Sequence, residues 1–488
     1  MSAWSEINIR MVLKFIGILL MIITPFMALS AIWSVIYDEP EALRAILTSS
    51  VITFISGLIM VIATRQHDHK NIGKKEGYVI VTLTWIFISG FGALPYHLYG
   101  VFPTYTDAFF ETMSGFTTTG SSVMTDIEAV SKGILFWRSL TQWLGGMGII
   151  VLTLAILPIL GIGGMRLFVA EAPETTTQRL HPRITETAKR LWGIYAGFTA
   201  LQTVLLMLGG LNFFDALNHA FTTMSTGGFS TFNDSVAGFS AFNQYIVIVF
   251  MLLSGMNFSL HYFALKGQFA KVTQNEELRL YLVVILTTGI FIALFLFFTG
   301  NMRFETSFRD SLLQVVSIVT TTGFVSTDYL AWAQPLWILL FFLMFTGGCI
   351  GSTAGGIKLV RHLILLKNIR LEYKRIVHPL AIVPIKLNGK ALPLDIIYNF
   401  LAFFIIYMLA IVAGTMALSI MGVDFASSIG AAVTSIGNVG PGIGSVGPVD
   451  NFAHIPMAGK WVLSFLMLIG RLELFTVLIL FSPIFYRN

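Results

Sequence analysis

A chain of 488 residues in which 55% are hydrophobic and only 11% charged, with a mean hydropathy of +0.80, is far too apolar for a water-soluble domain and reads as an integral membrane protein. The single cysteine, Cys349, excludes an intrachain disulfide, so helix packing must hold the fold. A net charge of +5 would suit nucleic acid, yet the basic residues lie in connectors between apolar stretches, and no nucleic-acid partner is expected.

A membrane-spanning helix takes about 20 apolar residues. Ten stretches qualify: 11–36, 43–64, 77–99, 134–162, 189–211, 242–266, 279–300, 335–366, 394–421 and 456–483. The first is too long for the apolar core of a signal peptide and is expected to be retained. A charged hairpin at 65–75 follows the second, after which one plan recurs: apolar span, short helix with loop, apolar span, basic connector. The predicted organisation is therefore all-α, with an N-terminal transmembrane hairpin (1–70) and four repeats at 71–165, 166–270, 271–370 and 371–488. With a cytoplasmic N-terminus, 23 Lys and Arg fall on the inside and five (Arg44, Lys132, Arg303, Arg309, Lys460) outside, which fixes the expected orientation.

Each repeat carries an acid followed 13 residues later by a glycine: Asp107 and Gly120, Asp215 and Gly228, Asp310 and Gly323, Asp424 and Gly437. A helix over such a distance is about 16 Å long, half the hydrocarbon thickness, so it is expected to enter and return. The acids are expected at helix starts, where they accept unsatisfied amide protons and favour the dipole. The helix ends then aim partial negative charge at the membrane centre. A dehydrated cation needs a cage of oxygens, and glycine lets successive carbonyls face one axis. Candidate filter residues are Thr118, Thr119 and Gly120; Thr226, Gly227 and Gly228; Thr321, Thr322 and Gly323; and Ser435, Ile436 and Gly437. In the second loop Gly227 and Gly228 compete, and the Gly-Phe pair shared with the third favours Gly228. None of these segments holds a carboxylate, which favours a weakly hydrated monovalent cation such as potassium over sodium or divalent ions. Close helix packing is the plainer use of Gly and Thr. It does not account for four copies at one offset.

The span 335–366 contains Thr346-Gly-Gly-Cys-Ile-Gly-Ser-Thr-Ala-Gly-Gly356, where five glycines (Gly347, Gly348, Gly351, Gly355, Gly356) predict a broken helix. Such a break is suited to obstructing a pore, and a glycine packing seam is the alternative. Arg471, inside the last span, is costly there unless paired or facing water. Glu473 is expected to pair with another helix, and Arg138 with Glu111. Asn257 and His261 are expected on one helix face, with His261 structural rather than a proton relay.

The motifs Ser114-Gly-Phe-Thr-Thr-Thr-Gly120, Met224-Ser-Thr-Gly-Gly-Phe229, Thr320-Thr-Thr-Gly-Phe324 and Ser435-Ile-Gly-Asn-Val-Gly-Pro441 resemble those of the Trk/Ktr/HKT superfamily of potassium transporters, most closely its TrkH branch. The resemblance covers nearly the whole chain. It implies four M1-P-M2 units around one central pore, K+ as the transported ion bound at the filter residues, and no organic cofactor or enzymatic activity. It assigns the Gly-rich segment as an intramembrane gating loop and Arg471 as a side chain projecting into the pore beneath the filter. It further implies a homodimer in a bacterial inner membrane, surrounded by lipid, with the basic segment 367–390 docking a cytosolic nucleotide-binding regulatory ring, a TrkA-like partner. A proton- or sodium-coupled symporter on the same fold is the alternative. The inverted-repeat carrier plan does not fit repeats that all point one way. Gly442-Ile-Gly-Ser-Val-Gly447 is a lone GxGxxG match without a βαβ setting and is not read as a dinucleotide site.

Overall fold

A computed structural model describes residues 7–65, 74–148, 184–300, 303–379 and 383–486. Most of the charged hairpin 65–75, the end of the fourth expected span (149–162) and most of the basic connector 166–190 lie outside the described residues. Within them, six helices are long and apolar enough to cross a membrane: Ile9–Ile36, Pro40–Ala63, Lys75–Tyr99, Lys189–Leu208, Glu276–Thr299 and Ile396–Ile420. Two bent pairs also qualify, Ala241–Ser254 with Phe258–Leu265 and Met457–Arg471 with Phe475–Phe481, giving up to eight spans.

The first two long helices form a hairpin whose contact is set by two glycines. A Cβ built on either Gly17 or Gly57 would lie 2.7 Å from the carbonyl oxygen of the other, so the backbones touch directly. Outward faces of the long helices carry exposed Ile55, Leu201, Val283, Ile290, Ile405 and Leu409, side chains that suit lipid rather than water.

Four short helices sit inside this shell: Tyr105–Phe116, Phe213–Met224, Phe304–Val319 and Phe425–Gly437. The first is buried from Asp107 to Phe116 without interruption. Three of the four acids sit at helix starts as expected, Asp107 and Asp215 in the first turn and Asp424 at the cap, and Asp310 does not. Thr104 caps the first and Asn212 the second by accepting from the amides of Asp107 and Asp215, three residues on. These acids turn back onto their caps, Thr104 Oγ1 donating to Asp107 and Asn212 Nδ2 to Asp215, so each pair satisfies itself reciprocally. Asp424 is itself the cap of the fourth, accepting from the Ser427 amide at 3.0 Å. Asp310 lies well inside the third helix, which begins about a turn and a half earlier at Phe304.

Of the four helices that follow, the last three are interrupted, and the first changes its winding where the described residues end. Lys132–Trp143 passes into a wider turn at Leu144–Gly148, and Ala241–Ser254 bends by 99° into Phe258–Leu265. Gln334–Leu343 stops before an irregular stretch and resumes as Leu359–Val377, as the five glycines require. Met457–Arg471 bends by 112° into Phe475–Phe481 through Glu473 and Leu474, both at positive φ. One small departure from an all-α chain is a two-residue hairpin, Lys386–Leu387 with Lys390–Ala391, turned by Asn388 and Gly389 at positive φ.

Gly57→Leu is expected to separate the N-terminal hairpin and lower the melting temperature in detergent by several degrees, since overpacking a close contact costs about 1–3 kcal/mol. Asp424→Ala should cost about 1 kcal/mol as a lost cap. The Ser427 amide holds the Asp424 carboxyl below its ordinary value, so this cap is present above the unfolded carboxylate pKa and fades as pH falls through the lower folded value. Melts of the variant and the parent should therefore converge in acid.

Candidate ion pathway

Each short helix ends in the same turn. In the first, Thr118 N donates to Gly115 O and Thr119 N to Ser114 O. Thr226 and Gly227 repeat this onto Thr223 and Thr222, Thr321 and Thr322 onto Ile318 and Ser317, and Asn438 and Val439 onto Ser435 and Thr434. The leading residue of each pair has positive φ: Thr118 52°, Thr226 55°, Thr321 55° and Asn438 53°. Two residues later comes a glycine, also at positive φ: Gly120 84°, Gly228 77°, Gly323 82° and Gly440 100°. A left-handed threonine is uncommon, and three at equivalent positions mark a backbone conformation held by its surroundings.

This pattern corrects the fourth loop. Ser435, Ile436 and Gly437 end the helix Phe425–Gly437, and none has positive φ. Asn438, Val439 and Gly440 occupy the places of Thr118, Thr119 and Gly120. The cause is a difference in register: Gly120, Gly228 and Gly440 each follow a cap residue (Thr104, Asn212, Asp424) by 16 positions, so Asp424 corresponds to the caps and not to Asp107. The Asn-Val-Gly-Pro sequence, with two residues that favour positive φ, was the available signal.

The four turns close into a ring. A Cβ on Gly120 would lie 2.3 Å from Gly227 O, and one on Gly228 1.9 Å from Thr322 O. Continuing around, a Cβ on Gly323 would lie 2.3 Å from Val439 O, and one on Gly440 2.9 Å from Thr119 O. Each glycine thus abuts the carbonyl just before the glycine of the next loop, in the order first, second, third, fourth, first. No carboxylate occurs within 117–120, 225–228, 320–323 or 437–440.

The Gly-rich segment lies against this ring. Gly355 N donates to Thr321 Oγ1 at 2.7 Å, and a Cβ on Gly355 would lie 2.7 Å from Gly437 O. Thr353 Oγ1 donates to Met224 O at 3.0 Å, reaching the end of the second short helix. Gly347, Gly348 and Gly356 close the segment on itself: Gly347 N donates to Ile357 O, Leu359 N to Gly348 O, and a Cβ on Gly356 would lie 3.2 Å from Gly347 Cα. Gly351 O accepts from Phe258 N across the neighbouring break. Arg471 adds the fourth side, its guanidinium donating to Thr353 O at 2.8 Å, Gly145 O at 2.7 Å and Gly146 O at 3.0 Å.

The other charges find the partners expected of them. Arg138 bonds Glu111 at 2.7 Å with both side chains buried, and Glu473 pairs with Arg361, whose guanidinium lies 3.7 Å from the Phe403 ring centroid. Asn257 and His261 do not share an unbroken helix. Asn257 caps Phe258–Leu265, and His261 Nε2 donates back to Leu253 O at 2.8 Å across the break. Missed in the sequence were Gln142 and Glu277. Glu277 looks like an ordinary first-turn acid, yet one of its oxygens accepts from both Ile350 N (2.8 Å), in the middle of the Gly-rich segment, and Val360 N (3.0 Å), in the helix that follows it.

Residues 43–485 match the TrkH family, described as cation transport protein. Over 487 residues the chain is 39% identical to the Trk system potassium uptake protein TrkH of Salmonella typhimurium and 38% identical to that of Escherichia coli K12, covering 99% of this chain and 100% of each relative. Its fold matches the crystal structure of the potassium transporter TrkH from Vibrio parahaemolyticus with a TM-score of 0.88 at 37% identity, across 99% of this chain and 100% of that one. The chain is therefore a multi-pass membrane protein and a member of the TrkH family of cation transport proteins.

Proposed function

We propose that this chain is the ion-translocating subunit of a Trk-type potassium uptake system, in which four M1-P-M2 units, preceded by the N-terminal hairpin, build one pore across ten spans. The observation that carries this reading is the closed ring in which each positive-φ glycine meets the next loop's carbonyl. Such a ring offers backbone oxygens to a bare cation, and the four helix C-termini that converge on it add partial negative charge. Neutral donors without a carboxylate favour K+ over more strongly hydrated ions. The filter residues on this reading are Thr118, Thr119, Gly120, Thr226, Gly227, Gly228, Thr321, Thr322, Gly323, Asn438, Val439 and Gly440.

The Gly-rich segment acts as the gate, with Arg471 holding it across the pathway through Thr353 O. The relatives are named as parts of the Trk system. Membership of such a system supports a regulatory partner, and on this reading a cytosolic nucleotide-binding ring docks on segment 367–390 of a homodimer in the bacterial inner membrane, N-terminus inside. Arg370, Lys374 and Lys386 cluster on that segment and would present positive charge to such a partner, while Lys367 beside them pairs with Glu276.

The test is tracer flux of Rb+ and Na+ in proteoliposomes holding this protein alone, with and without an imposed proton gradient. Passive Rb+ flux that excludes Na+ is expected, whereas flux seen only with the gradient would move the mechanism to coupled transport. Gly120→Ser should admit Na+, because its Cβ displaces the Gly227 carbonyl. Gly440→Ala should likewise relax selection while Gly437→Ala leaves it intact, since only Gly440 has positive φ; the reverse result would restore the original assignment of Gly437. Arg471→Ala should raise K+ flux severalfold, and a fall in flux with well-folded protein would count against the gate.

A further inference from the structure

Behind the ring, one assembly of side chains holds two turns at once. Arg138 and Gln142 lie four residues apart on Lys132–Trp143 and so share a face. Gln142 Nε2 donates to Gly227 O at 2.7 Å, and its Oε1 accepts from Phe229 N at 3.0 Å. A single amide therefore fixes the peptide groups on both sides of Gly228. Gly227 O is also the oxygen against which Gly120 rests, so Gln142 sets the contact between the first and second turns.

Arg138 completes the bracket. Its Nε donates to Glu111 Oε1 at 2.7 Å, one terminal nitrogen donates to Ser230 O at 2.9 Å and the other to Ser122 Oγ at 3.1 Å. The guanidinium lies 3.6 Å from the centroid of the Phe229 ring. Glu111 in turn accepts from Val123 N at 2.9 Å and from Ser122 Oγ at 2.8 Å. The chain leaving the first turn and the chain leaving the second are thus bonded to one planar fork with 2% exposure and its fully buried carboxylate.

Replacing a buried ion pair by apolar side chains of the same shape is often neutral for stability, so the contribution of this pair is sought in geometry. An apolar residue could fill the place of Gln142. It could not donate to one peptide group and accept from the next.

We propose that Gln142 and the Arg138–Glu111 pair are specificity-determining positioning residues, which fix the carbonyls beside Gly228 and their spacing to Gly120 and thereby set the discrimination among monovalent cations. This rests on the reading of the ring as a potassium-selective pore. The distinguishing readout is the Rb+ to Na+ flux ratio, which a merely structural role would leave unchanged.

Proteoliposomes of the full chain would be compared as wild type, Gln142→Met and Arg138→Lys, each first checked for a single elution peak and its melting temperature. Gln142→Met keeps volume and removes both hydrogen bonds, and is expected to lower the ratio about tenfold, chiefly through added Na+ flux. Arg138→Lys keeps the charge but loses the fork, and should lower the ratio by a smaller factor. An unchanged ratio in both variants, whatever the total flux, overturns the proposal. Should Gln142→Met not fold, Arg138→Lys and Glu111→Gln decide it by the same ratio. A wild type that fails to discriminate overturns the pore reading instead, which is a separate failure.

Discussion

Backbone that leaves a helix inside an apolar shell must still satisfy its amides, and the architecture of this protein follows from how four such exits are handled. At each exit the second and third amides of the turn fold back onto carbonyls of the helix just ended. That consumes the donors on the helix side and orients the turn toward its neighbours. The positive φ that this requires falls on Thr118, Thr226, Thr321 and Asn438, where a side chain pays a steric cost, and then on a glycine, where it does not. The ring is what four solutions to one local problem make when they meet.

The seams between the turns are not equivalent. First and second are joined by Gln142 and the Arg138 fork, and fourth and first by Asn438 Nδ2 on Thr119 Oγ1 and the buried pair Lys460 with Asp107. Among the described residues, the second and third meet through Val236 N on Val325 O and Val325 N on Ser235 Oγ, and the third and fourth through Tyr329 on Gly442 O. A chain that forms its ring from four different segments can hold each quadrant by different chemistry, which four identical subunits could not. The first turn is the one with a buried ion pair on each flank, Arg138 with Glu111 and Lys460 with Asp107.

Much of this was legible because membranes make exceptions conspicuous. Apolar runs gave the long helices, and Arg138, Glu473 and Arg471 stood out as charges in apolar surroundings that required partners. The glycines ending Thr-Thr-Gly in the first and third loops and Thr-Gly-Gly in the second are the ones that take positive φ. The fourth lies three residues beyond its expected place because Asp424 is the counterpart of Thr104 and not of Asp107, and a serine or threonine cap is a weaker sequence signal than an acid. Helix breaks were legible only where glycines cluster, at 347–356. At the bend after Ser254, His261 satisfies the Leu253 carbonyl that an unbroken helix would satisfy itself, and at the bend after Arg471 the side chain of Glu473 pairs with Arg361. Gln142 and Glu277 carry no sequence signal, since their importance lies in which distant amides they reach.

Glu277 has a mechanical consequence. By binding Ile350 N and Val360 N with one oxygen, it pins the middle of the glycine stretch to the first turn of the helix that resumes after it. The residues between are a tethered flap on a shared post rather than a slack connector between two independent rods. Displacing Thr353 and Gly355 from the ring then needs only rotations within a segment of about ten residues, with both halves of the interrupted span left where they stand, so an opening there could leave the lipid-facing surface of the protein undisturbed.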